Sequence, residues 1–177
     1  MFVDSHCHLD QIDLDSRVGG LKGLIADAKR RGVGHMLSVA VDLQSSRSLP
    51  SLTADYPEIF TSVGVHPLHK DSGLLVSVEE LIDLSYLPGV IAIGETGLDK
   101  FYSLDTIDWQ TESFIAHLKA SQRTGKPLII HTRDAVDDTI RLLTEYSSKA
   151  AGVMHCFTES WEMAKSALAL GFYISFS

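Results

Sequence analysis

Five side chains able to bind a divalent cation stand at the ends of short apolar runs. His6 and His8 close the first run, in Asp4-Ser5-His6-Cys7-His8. Glu95 closes Ile91-Ala92-Ile93-Gly94-Glu95, His131 closes Leu128-Ile129-Ile130-His131, and His155 closes Val153-Met154-His155. Side chains alternate across an extended strand, so Asp4, His6 and His8 share one face and Cys7 turns to the other. A buried carboxylate with no partner costs several kcal/mol, and imidazoles gathered around a cation with it remove that penalty. Four histidines and one carboxylate exceed what one tetrahedral zinc takes, and a glutamate bridges two ions through its two oxygens. Two divalent ions are implied. Ions about 4 Å apart share a water, lower its pKa and stabilise both the attacking and the leaving oxygen, which is the chemistry of hydrolysis. Mixed nitrogen and oxygen donors suit Zn, Mn, Ni or Mg.

The elements that must position these groups are legible as alternating strand and helix patterns. Apolar runs rich in Val and Ile predict seven strands: Phe2 to His8, Met36 to Val41, Phe60 to His66, Val90 to Glu95, Leu128 to His131, Val153 to Phe157 and Phe172 to Phe176. Helical spacing lies between them. Leu21, Leu24, Ile25 and Ala28 precede the stop Gly32, and a helix from a cap at Asp108 carries Phe114, Ile115 and Leu118 up to Gly125. A third follows a cap at Asp134 through Val136, Ile140 and Leu143, and a fourth spans Ser160 to Leu170 before Gly171. Asp71 to Gly73 marks a loop.

Regular alternation means a parallel sheet, either open and doubly wound or closed as a TIM barrel. Strand ends recur about every 28 residues, so eight units would need about 224. The expectation is one α/β domain over residues 1–177, a TIM (β/α)8-type barrel that is incomplete, with about seven strands and six helices. Strands one and seven would then lack their common neighbour, and two open sheet edges offer a route to self-association.

Composition narrows the partners. The 177 residues carry 15 basic and 23 acidic side chains, a net charge of −8, so no broad basic field can hold duplex nucleic acid by counterion release alone. Any phosphate substrate must be held locally. No secretory leader and no apolar run of about 18 residues occur, and the two cysteines form no CxxC pair, which together predict a cytoplasmic protein with no membrane partner.

Several motifs together resemble the TatD-like metal-dependent deoxyribonucleases of the amidohydrolase superfamily. They are Asp4-Ser5-His6-Cys7-His8, Gly64-Val65-His66-Pro67, Gly94-Glu95-Thr96-Gly97-Leu98-Asp99, Ile130-His131-Thr132-Arg133-Asp134 and Met154-His155-Cys156-Phe157, in order along the whole chain. The resemblance implies a TIM barrel holding two divalent metals on His6, His8, Glu95, His131 and His155, with Glu95 bridging. It also implies a DNA phosphodiesterase, often a 3′ exonuclease. The family's eighth strand ends in an aspartate, within a run similar to ETDAP, that completes the metal site. This sequence has no such run, and its last residues resemble the family's seventh strand. The expectation is therefore an N-terminal portion of such an enzyme, its C-terminal part missing.

Outside the ligand set, His66 and Arg133 are candidates to hold a phosphate oxygen, Arg133 by a bidentate fork. The bland alternatives are a loop histidine and a surface ion pair with Asp134 or Asp137. Asp99 orients a ligand or substrate, or else stabilises the turn after Gly97. Glu95, His66, Arg133 and Asp99 form the catalytic set in this reading. His69, His35 and His117 are assigned to a loop, a strand start and a helix surface. The cysteines turn away from their neighbouring histidines and suit a core. Trp109, Phe114 and Trp161 are packing residues, with a base-stacking platform the weaker alternative. Glu79-Glu80 and Asp137-Asp138 are solvated helix faces. Two rivals stand beside the nuclease: a catalytically impaired remnant acting as a metal-binding interaction module, and a small-molecule amidohydrolase. The latter commonly bridges its metals with a modified lysine where this chain has Glu95.

Overall fold

A computed structural model describes residues 1–69, 75–146 and 151–176 of the chain. Seven strands occur in it: β1 (Phe2–Cys7), β2 (Val33–Ser38), β3 (Ile59–Val63), β4 (Val90–Asp99), β5 (Leu128–Arg133), β6 (Gly152–Met154) and β7 (Tyr173–Ile174). They alternate with six helices: α1 (Gly20–Arg30), α2 (Leu43–Leu52), α3 (Val78–Ser85), α4 (Ile107–Thr124), α5 (Val136–Glu145) and α6 (Trp161–Ala169). Short 3-10 turns occupy Leu9–Gln11 and Leu104–Thr106.

Every strand pairs in parallel with the next strand of the chain, in the order β1-β2-β3-β4-β5-β6-β7. A doubly wound sheet would reverse its order at a switch point. An order that never reverses keeps the crossovers on one side, and the accumulated twist curls the sheet into a half-barrel. Among the described residues β1 and β7 pair on one side only.

The main core lies between this sheet and helices α3 to α6. Phe114, Ile93, Leu98, Ile130, Leu142 and Met154 are fully buried there, each contributing about 2 kcal/mol by leaving water. A smaller cluster of Val39, Ala92 and Ile129, flanked by Leu37 and Val153, lies on the other face. With His6 and His155, the residues Leu37, Ala92, Ile129 and Val153 line a cleft of about 610 Å³.

Several element ends follow local rules. Asp42 caps α2 by accepting from the Ser45 N–H at 2.6 Å, with the Ser45 hydroxyl answering the Asp42 N–H at 3.1 Å. Ser160 caps α6, accepting from Met163 N–H at 3.2 Å. Two expected caps are corrected. Asp108 lies inside the first turn of α4, whose N-cap is Thr106. Asp134 sits at φ 52° and its N–H bonds Glu159 Oε1, so Ala135 takes the cap position of α5. Strand β2 begins three residues before the expected Met36. The loop expected at Asp71 to Gly73 falls outside the described residues. No helix among the described residues is long and apolar enough to cross a membrane.

Candidate metal centre

Parallel strands present their C-terminal ends at one rim, and the five candidate ligands arrive there on β1, β4, β5 and the residues just past β1 and β6. Strand β4 runs four residues beyond the expected Glu95, and two glycines let it. At Gly97, φ is 140° and a Cβ would collide with the His131 carbonyl oxygen. At Gly94, φ is 139° and a Cβ would lie 2.5 Å from the Ile129 carbonyl oxygen. The bare backbone brings Glu95 and His131 onto neighbouring strands at close range.

Glu95 is the hub. It is 4% exposed and its carboxylate faces His6 on one side and His66 with His131 on the other. The distances are 3.1 Å from Oε2 to His6 Nε2, then 3.4 and 3.5 Å from Oε1 to His66 Nε2 and His131 Nδ1. Two donor groups result, His6-Glu95-His155 and His66-Glu95-His131, each with its ligand atoms within 4.8 Å of one another. The His6 and His155 rings stack at 3.4 Å, and His8 meets His6 edge-on at 5.0 Å while belonging to neither group.

Tautomers separate the histidines by what each can offer. His8 Nδ1 donates to the Val39 carbonyl at 2.8 Å, leaving Nε2 with its lone pair free for a cation. His131 Nε2 donates to Asp99 Oδ2 at 3.0 Å and so presents an unprotonated Nδ1 towards Glu95 and His66. His6 buries both ring nitrogens without a hydrogen-bond partner, since its approach to Glu95 is close but misaligned. A divalent cation answers those orphaned nitrogens and the crowded carboxylate together, so the residues fit the metal their types imply. His66 is different. Its Nδ1 accepts the Leu68 N–H at 3.1 Å, so the neutral ring carries its proton on Nε2 and is a donor rather than a ligand in this state.

The electrostatics centre on one buried anion, and the histidines beside it are shifted in different directions. Burial alone would raise the Glu95 carboxyl, but contacts with His131, His6 and His66 outweigh it and hold the group ionised, far below its usual range. Burial lowers His66, and burial with the adjacent His6 lowers His155 to about 4. Burial also opposes protonation of His131, yet its bonds to Glu95 and Asp99 raise it above its ordinary value.

Asp99 binds both a candidate ligand and the turn that follows β4. Fully buried at the end of β4, it accepts from His131 through Oδ2 and from the Tyr102 N–H through Oδ1 at 2.7 Å. Arg133 closes β5 opposite Asp99, and its guanidinium lies over the rings of Phe101 and Tyr102, 4.8 and 5.2 Å from their centroids. Among the described residues it makes no ion pair with Asp134, Asp137 or any other acid.

Other assignments change. His117 is not on a helix surface: it is fully buried, donating to the Ser113 carbonyl at 2.7 Å and accepting the Val65 N–H at 2.9 Å, and burial lowers its pKa to about 4. Cys7 donates to the Leu37 carbonyl, and burial with the charges of Asp4 and Asp10 pushes its thiol up to about 12, so it stays protonated and is no ligand. Cys156 is exposed rather than part of a core. Phe114 and Trp109 pack in the core, whereas Trp161 is 65% exposed. The aromatic pair Phe101-Tyr102 follows the end of β4 rather than lying on a helix. Two adjacent aromatics just past a strand end are its signal in the sequence.

A family model described as TatD related DNase matches residues 3–177. An uncharacterized metal-dependent hydrolase, YcfH of Escherichia coli (strain K12), is 43% identical over 176 residues, covering 99% of this chain and 66% of that protein. A 3′-5′ ssDNA/RNA exonuclease, TatD of Escherichia fergusonii, is 33% identical over 152 residues, 85% of this chain and 58% of that one. Among solved structures, the TatD homolog YjjV from Escherichia coli K12 superposes with a TM-score of 0.86 at 29% identity, covering 98% of this chain and 66% of that one. The chain thus spans about two thirds, 66%, of the length of the curated relatives first matched.

Proposed function

The chain belongs to the TatD related DNase family, and from that premise we propose that it is a divalent-metal-dependent phosphodiesterase that trims nucleic-acid ends, in the manner of a 3′ exonuclease. The observation that carries this reading is the sharing of one buried carboxylate, Glu95, by two histidine groups beside an arginine that has no acidic partner among the described residues. His6, His8, Glu95, His131 and His155 are the proposed ligands of two ions, with Mg, Mn, Zn and Ni all compatible with the donor set. When bound, such ions supply a nucleophilic water near neutral pH and neutralise charge on phosphate oxygens.

The chain's own residues do the rest. Glu95 keeps its charge at every working pH and offers one oxygen to each side of the cluster. Asp99 fixes the ring of His131 so that Nδ1 faces the site. His66, neutral and carrying its proton on Nε2, donates towards a phosphate oxygen. Arg133 offers its fork to a second one. A net charge of −8 argues for short or frayed single strands over duplex.

The test is hydrolysis of a 5′-labelled single-stranded oligonucleotide by the full chain with Mg, Mn, Zn or Ni added. Stepwise shortening from one end is the expected result. Absence of phosphodiester cleavage with turnover of amide or nucleobase substrates would replace this reading with that of a small-molecule amidohydrolase.

A further inference from the structure

Beyond the ligands, the rim carries one exposed feature that the phosphodiesterase reading does not yet use. Phe101 and Tyr102 are 56% and 64% exposed, and their rings meet edge to face at 4.6 Å with an interplanar angle of 85°. Exposing two large adjacent rings has no packing rationale, since each forgoes burial worth about 2 kcal/mol. Their position is fixed all the same. The Tyr102 N–H is bound to Asp99, whose other oxygen holds His131, and Gln110 Nε2 ties the same turn down by donating to the carbonyls of Asp99 and Ser103 at 3.0 and 2.8 Å. The Arg133 guanidinium rests against both rings. A cation suited to phosphate therefore stands beside two aromatic faces, on a turn that Asp99 links by hydrogen bonds to the ligand candidate His131.

We propose that Phe101, Tyr102 and Arg133 form a nucleotide subsite, in which a nucleobase next to the scissile phosphate stacks on the exposed aromatic pair while Arg133 holds that nucleotide's phosphate. This rests on the phosphodiesterase reading and specifies what its substrate must carry. Stacking accepts every base because each has a π-face, so the subsite selects for the presence of a base and not for its identity. The geometry favours an unpaired base, because one held in a duplex cannot turn its face onto a ring at the protein surface.

The experiment compares two single-stranded tetranucleotides, one with four bases and one whose terminal nucleotide is abasic. Equilibrium binding is measured by fluorescence anisotropy without added metal, and hydrolysis is measured with metal. The wild-type chain binds the base-bearing strand about tenfold more tightly. The double variant Phe101→Ala/Tyr102→Ala binds both strands alike, at the abasic level, while Phe101→Tyr and Tyr102→Phe keep the preference. Both positions are exposed, so unfolding of the variants is not expected, and circular dichroism checks it. Equal binding of both strands by the wild type, or an equal loss for both strands in the double variant, overturns the subsite. Absence of hydrolysis with the base preference intact overturns the phosphodiesterase reading and leaves the subsite supported.

Discussion

His131 donates from Nε2 to Asp99 Oδ2 across 3.0 Å, while its Nδ1 lies 3.5 Å from Glu95 Oε1. One imidazole thus joins a fully buried carboxylate behind it to the hub of the site in front, and its orientation is set from behind. A carboxylate in that place fixes the tautomer and makes the ligating nitrogen more basic.

Asp99→Asn removes the charge but keeps an oxygen for the Tyr102 N–H, so the turn survives. Metal affinity is expected to fall about 10- to 100-fold with little change in melting temperature. Calorimetric titration with Mn or Zn measures it. Unchanged affinity would make Asp99 a turn-stabilising residue alone.

Glu95 belongs to both donor groups, and its substitution should act on both ions. Elemental analysis of the wild-type chain is expected to give two ions per chain. Glu95→Gln should lose both, and His155→Ala should lose one. His66→Ala should keep both while raising KM if His66, whose Nε2 faces His131 Nδ1 at 3.3 Å, serves substrate as proposed rather than an ion. Loss of an ion from His66→Ala would move that residue into the ligand set. A wild-type chain holding one ion would favour the metal-binding interaction module over the enzyme.

The convergence of these candidate ligands is legible in the sequence because each ends a run of apolar residues, and a histidine or glutamate there has few structural uses. Strand order follows from regular spacing for the same reason. What escapes the sequence depends on contacts made across the fold. His117 sits on an amphipathic helix with no local sign that its ring will reach the Val65 N–H, 52 positions away. Asp134 looks like a cap until Glu159 takes its N–H. Strand β4 continues past Glu95 through glycine and polar residues that break the apolar pattern, and only the close approach of β5 shows why.

The buried His117 predicts an acid-sensitive stability. Its folded pKa of about 4 lies below the ordinary 6.5, so the folded state disfavours the charged ring. Stability is complete above pH 6.5, falls as pH drops from 6.5 towards 4, and levels off below, for a total of about 3 kcal/mol from this group. His117→Gln can still accept the Val65 N–H but does not titrate. Urea unfolding at pH 7 and pH 5 should show a smaller difference for the variant than for the wild type. Equal differences would assign the acid sensitivity elsewhere.

The unpaired edges of β1 and β7 predict association of this 177-residue chain with itself. Phe2, Val3, Tyr173 and Phe176 are each at least 60% exposed on or beside those strands. Sedimentation velocity over a hundredfold concentration range should show a rising weight-average mass, and Tyr173→Lys should reduce it by placing a charge at the edge. A monomer at all concentrations removes this partner.

Arg133 gives the sharpest separation between holding a phosphate and packing on aromatics. Its fork reaches two phosphate oxygens, whereas a lysine offers a single charge. Arg133→Ala is expected to raise KM for a short single strand by about tenfold or more and to leave metal stoichiometry intact, with Arg133→Lys intermediate. The salt dependence distinguishes the two roles. Each phosphate neutralised on a single strand contributes about −0.7 to the slope of log affinity against log salt, so removing this one contact should flatten the slope by about that amount. A residue that merely supports Phe101 and Tyr102 would weaken binding without altering the slope, and its loss would spare the abasic strand. Loss of affinity for base-bearing and abasic strands alike, with a flatter slope, is the result expected of a phosphate ligand.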